Sequence, residues 1–173
     1  MPATTVHNRS IRALAVAATS ALLLSGCGFN AQTLQPYTPA EGVNLDVADI
    51  KVRNVVVVSD ADGNGILSGS IVSRGDDSLT AVEVVPLLEG NVPGAPLPVT
   101  PLRPVTLPAG DLVVLTDPTP AFAVSGDTLV PGQTVALSLT FASGGVGEVI
   151  TPVMSSGDIA FETLAPAIPT PTP

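Results

Sequence analysis

The sequence predicts an all-β protein, an antiparallel β-sandwich of about seven to eight strands. Val, Ile, Leu and Thr recur in short runs that Gly, Pro, Asn and Asp interrupt, the pattern of strands joined by turns. Residues 134–141 alternate strictly, with Val135, Leu137, Leu139 and Phe141 on one side and Thr134, Ala136, Ser138 and Thr140 on the other. A half-buried antiparallel strand requires that alternation. No long stretch carries a helical period.

The first expected strand, residues 48–59, contains Val55, Val56, Val57 and Val58. Such a run needs both faces covered, because an exposed apolar strand templates pairing with other chains; this places it centrally. Residues 65–74 and 79–88 follow as strands, separated by a turn at Asp76 and Asp77. Residues 97–107 are expected as another. The prolines at 86, 93, 96, 98, 101 and 104 have no N–H to give to a ladder, so this middle part belongs at sheet edges or in loops. Residues 112–116 form a short strand. Pro131-Gly132 suits a type II turn, since Pro fixes the first φ and Gly accepts the positive second one. That turn launches 134–141, and residues 146–153 close the set.

The N-terminus carries Arg9 and Arg12 without an acid, then an almost wholly apolar run over 13–24, then small residues. This is the layout of a secretory signal, and the run is too short to cross a bilayer, which takes about 20 apolar residues. Leu24-Ser25-Gly26-Cys27 resembles the lipobox of bacterial lipoproteins. The resemblance implies that the Cys27 sulfur receives a diacylglyceryl group and that Cys27 becomes the first mature residue, held at the outer face of the cytoplasmic membrane. Two or more acyl chains anchor stably where one binds only marginally. The expected organisation is a signal peptide over 1–26, a lipidated cysteine and tether over 27–45, a sandwich domain over 46–163, and an unpacked Pro/Thr-rich tail over 164–173.

All 15 acids lie after Cys27, where the only bases are Lys51, Arg53, Arg74 and Arg103, so the mature chain is more acidic than the net −9 of the whole. Such a surface repels phosphate, and aromatics are 3% of the chain with no Trp; nucleic acid is therefore not an expected partner. The single histidine, His7, falls within the signal. The mature chain then has no imidazole to activate a nucleophile and lacks the usual zinc donors. No catalytic residue and no cofactor is expected.

Asp60-Ala61-Asp62-Gly63-Asn64-Gly65 opens like a calcium loop, with oxygen ligands at alternate positions. Its twelfth position is Ile71 where a bidentate Glu belongs, and its flanks are β-rich. The competing reading is a hairpin loop, for which Asp, Gly and Asn are the ordinary residues. A weak calcium site at Asp60, Asp62 and Asn64 stays open at this point. Met154 reads as an apolar gap-filler.

Val105-Thr106-Leu107-Pro108-Ala109-Gly110, then 129–141 from Leu129-Val130-Pro131-Gly132 to Leu139-Thr140-Phe141, then Gly147-Glu148-Val149 resemble the C-terminal half of the PCu(A)C copper-chaperone family. The chain is also similar to the LpqE-like lipoproteins of high-GC Gram-positive bacteria. The resemblance covers about residues 46–155 and implies a cupredoxin-like or immunoglobulin-like sandwich. Laid onto this chain, the family's late His-x-Met copper ligands fall on Ala121 and Ala123, and the earlier ones near Leu87, Leu88 and Val99. Cu(I) prefers thioether, thiolate or imidazole donors, so the copper mechanism does not carry over. The expected function is a lipid-anchored, non-catalytic binding or envelope-support module with an envelope protein as partner. The alternative is a metal-handling module, for copper or for calcium.

Overall fold

The computed structural model describes residues 41–169. Cys27 with the expected lipobox and signal, most of the expected tether, and residues 170–173 lie outside the described residues. Among the described residues eleven strands form: β1 (Val43–Val47), β2 (Ile50–Ser59), β3 (Asn64–Ser73), β4 (Asp77–Leu88), β5 (Val92–Pro93), β6 (Val99–Pro101), β7 (Val105–Leu107), β8 (Leu112–Val114), β9 (Phe122–Ser125), β10 (Thr134–Phe141) and β11 (Val146–Ser155). They hydrogen-bond in the order β5, β4, β10, β11, β2, β3, β9, β6, with β1 on β2, β7 on β4 and β8 on β3.

The sheet curls into two layers at β11. From Val146 to Pro152 this strand pairs antiparallel with β10, and from Val153 to Ser155 it pairs with β2. That second pairing is parallel, the one departure from an otherwise antiparallel architecture among the named strand pairs. Between the layers, Val52, Val57, Leu67 and Ile71 pack with Val84, Leu137, Leu139 and Phe141. Each fully buried aliphatic side chain contributes about 1.5–3 kcal/mol.

Alternation works as expected in β10, whose residues are half-buried and buried in turn. In β2 it does not run straight through. Arg53 opposes Ser70 and Val56 opposes Ser68, so Asn54 and Val55 face Gly69 alone. This bulge resets the parity: Val52 before it and Val55 and Val57 after it all enter the main core. Asn54 takes φ 51°, a conformation asparagine tolerates better than most residues. Its side-chain oxygen accepts from the Gly42 amide at 2.7 Å, and its own amide donates to Asn44 Oδ1 at 2.9 Å, so the bulge also anchors the start of β1.

Val56 and Val58 point to the other face with Ile66, where Phe161 covers them and Met154, Leu164, Ala167 and Ile168 pack around. The valine run is thus central and enclosed on both sides. Three boundaries differ from expectation. Strand β1 begins at Val43, inside the expected tether, because Val43, Leu45 and Val47 have an apolar edge to meet. Leu164, Ala167 and Ile168 are packed where an unpacked tail was expected, because the outer valine face needs them. The expected strand over 97–107 is two strands in different layers: β6 pairs with β9, and β7 pairs with β4.

Gly132 stands at φ 88° and the Gln133 amide donates to the Val130 carbonyl at 3.2 Å, the type II geometry that Pro131-Gly132 predicts. Gly147 has a different reason: a Cβ there would lie 2.4 Å from Val47 Cγ2 and 2.6 Å from Leu45 Cδ2. Strand β1 lies directly on it.

Candidate functional site

The segment from Pro86 to Pro108 wraps one open margin of the sandwich. It leaves β4 through a short turn at Glu89–Asn91, and β5 then folds back so that Pro93 and Val92 oppose Leu87 and Leu88. The Gly94 amide donates to the Pro86 carbonyl and the Leu97 amide to the Val84 carbonyl, each at 2.8 Å. In an antiparallel strand the N and O of one residue point to the same neighbour. Pro86 therefore directs its missing N–H away from β10 and costs no ladder bond there. The chain then crosses to β9 through β6 and returns to β4 through β7.

This margin leaves apolar side chains in solvent: Leu88 is 44% exposed, Val92 56% and Leu102 46%. Pro93, Pro96, Pro98, Pro101, Pro104 and Pro108 are exposed around them. The backbone beneath is fixed by Arg103, a residue to which sequence reasoning gave no role. Its Nε donates to the Thr119 carbonyl at 2.9 Å, and its terminal nitrogen donates to the carbonyls of Val114 at 3.0 Å and Asp117 at 2.9 Å. A guanidinium satisfied by carbonyls holds the 114–119 loop against the Leu102 turn. Nothing in its sequence context separates it from a surface arginine.

The Asp60 loop joins β2 to β3 as a hairpin. One Asp60 oxygen, Oδ1, accepts from the Asp62 amide at 2.9 Å and the Asn64 amide at 2.8 Å, while Oδ2 accepts from Asn64 Nδ2 at 3.1 Å. Asn64 thus turns its amide nitrogen, the donor end, toward Asp60. Both carboxylate oxygens serve the turn itself, the role that Asp plays in Asx turns. Among the described residues, no three His, Cys, Asp or Glu side chains converge to hold a metal.

Asp76 and Asp77 brace neighbouring loops. Asp76 accepts from the Ala109 amide at 2.9 Å, and Asp77 accepts from the Ser78 amide at 2.7 Å and the Ser143 amide at 3.2 Å. The Ser143 hydroxyl, with these amides, holds the Asp77 carboxyl below the usual carboxylate range. Asp46 is lowered likewise, chiefly by its hydrogen bond from Arg53. Both carboxylates are structural.

The positions on which the resemblance lays copper ligands fall in both layers. Ala121 is buried ahead of β9, and Ala123 lies on β9 opposite Thr100, beside Val99 of β6. Leu87 and Leu88 sit on β4, in the other layer. No helix among the described residues is long and apolar enough to cross a membrane.

No family model matches the chain, and no curated protein matches it. Among solved structures it is similar to the apo PCuAC domain from PmoF1, at 20% identity and a TM-score of 0.47, covering 65% of this chain and 99% of that one. It is also similar to the copper-bound PCuAC domain from PmoF2, at 14% identity and a TM-score of 0.48, covering 65% and 98%. The apo PCuAC domain of PmoF2 gives 15% identity, a TM-score of 0.47, and coverage of 67% and 98%.

Proposed function

We propose that this protein is a lipid-anchored, extracytoplasmic binding or envelope-support module that works without catalysis. It is tethered through Cys27 and meets an envelope protein along the margin from Pro86 to Pro108. The observation that carries the reading is the exposure of Leu88, Val92 and Leu102 on a proline-lined margin whose backbone is held by the Gly94, Leu97 and Leu102 amides and tied by Arg103 to the 114–119 loop. Rigid extended segments are common recognition surfaces, and a surface that is already ordered loses little entropy on binding. The lipobox and the lack of histidine after residue 7 support the anchor and the absence of acid-base chemistry. Metal handling has less support: Asp60 is committed to its own turn, and the copper positions carry methyl and aliphatic groups.

Photo-cross-linking in intact cells tests this reading. A cross-linker at Val92 or Leu102 of the full chain should yield a discrete adduct that one at Glu162 does not. The adduct should fade in a Leu88→Ser, Leu102→Ser variant. Equal adducts from all three positions, or none from Val92 and Leu102, would contradict it.

A further inference from the structure

A trough runs along β10 on the solvent side of the β4, β10 and β11 layer, with a volume of about 480 Å³. Register produces its shape. Ser138 of β10 lies between Glu83 of β4 and Glu148 of β11, and Ala136 lies between Val85 and Ile150. The small central residues make a floor and the larger flanking ones make walls, with Pro93 of β5 extending one wall. Its volume falls within the range of small ligand sites, about 300–1,000 Å³.

The two rows differ in chemistry. Ile150 is 57% exposed and, with Val85, gives an apolar pair. Glu83 and Glu148 are both exposed, about 10 Å apart by two strand spacings, and neither β4, β10 nor β11 contains Lys or Arg. Among the described residues the ion pairs are Arg53 with Asp46 and Arg74 with Asp49, so no cation of this domain serves Glu83 or Glu148. One cationic side chain over Ser138 would sit between both carboxylates, with the hydroxyl as a further acceptor. Adjacent rows are two residues apart along a strand, about 6.6 Å. An extended peptide repeats its side chains on one side at the same spacing, so a basic-x-aliphatic segment matches both rows at once.

We propose that this trough binds an extended cationic segment of a partner protein, with Lys or Arg between Glu83 and Glu148 and an aliphatic side chain between Val85 and Ile150. The proposal rests on the binding-module reading and names its partner's chemistry. The probe is an end-blocked hexapeptide of threonines carrying one Lys and, two residues on, one Ile, titrated into the ¹⁵N-labelled full chain in detergent. Amide shifts should concentrate at Glu83, Ala136, Ser138, Glu148 and Ile150. Affinity should fall with salt, and should drop about tenfold when the peptide Lys becomes Glu or in the E83Q/E148Q variant. Equal affinity for the Lys and Glu peptides, or no shifts at these amides, would overturn it. So would the same shifts appearing with protein concentration alone, which marks a second copy, or with phosphatidylglycerol vesicles in place of peptide, which marks a lipid surface. The cross-links at Val92 and Leu102 are read independently, so the trough can fail while the broader reading stands.

Discussion

The Thr151 hydroxyl donates to the Val55 carbonyl at 2.6 Å, with both residues fully buried. It joins the strand that passes between layers to the bulge that resets the parity of β2. Thr151→Val keeps the shape and leaves that carbonyl without this donor, which should cost about 1–3 kcal/mol. Thr151→Ser should recover most of the loss. Urea unfolding of both variants measures the difference; equal stability of Thr151→Val and the parent would remove the bond from the account.

Arg103 acts as an internal clamp. Arg103→Ala should destabilise the domain by about 1.5–3 kcal/mol, the range for hydrogen bonds from a charged donor. Hydrogen exchange should accelerate first at the Ala121 amide, which donates to the Leu115 carbonyl across the clamped loop, and at the Leu115 amide, which donates to the Gly69 carbonyl. Arg103→Lys should restore only part, since an ammonium lacks the planar fork that reaches Thr119, Val114 and Asp117 together.

Phe161 shields Val56, Val58 and Ile66. Its replacement by Ala should cost about 3 kcal/mol and expose the valine run, so the variant should bind a hydrophobic dye and aggregate on storage. Light scattering checks the second part. A Phe161→Leu variant should remain dispersed.

Asp77 sets an acid limit. Its folded pKa is depressed by the Ser143 hydroxyl and the Ser78 and Ser143 amides, so its contribution is fully present above the ordinary carboxylate value and is lost as pH falls through the lower folded one. Asp46 acts in the same direction through Arg53. An Asp77→Asn variant should be less stable at neutral pH and should lose less stability on acidification. Melting temperatures across the acid range would show it; parallel curves would contradict the assignment.

Local pattern made much of this fold legible. Strict alternation located β10, Pro131-Gly132 located its turn, and Val55–Val58 implied a strand covered on both faces. The bulge at Asn54 and Val55 was hidden, because two residues opposing Gly69 is a fact of pairing that one strand's sequence does not contain. The expected strand over 97–107 breaks at Leu102 and Arg103 because its halves find partners in different layers. Strand β9 was missed altogether: Phe122–Ser125 is short and lies between prolines and Gly126, so it holds by pairing with β3 and β6. The Asp60 loop left hairpin and calcium readings open in the sequence, and the direction of the Asn64 amide favours the turn. The trough could not be read in advance, since Glu83, Ser138 and Glu148 are far apart in the chain and meet only through register.

Intact mass of the protein recovered from cell envelopes tests the anchored-module account most directly. The account predicts a chain beginning at Cys27 with a diacylglyceryl group on its sulfur, and a Cys27→Ser variant that leaves the membrane fraction. A chain recovered with an unmodified Cys27 thiol, or a Cys27→Ser variant that stays with the membrane, would contradict it.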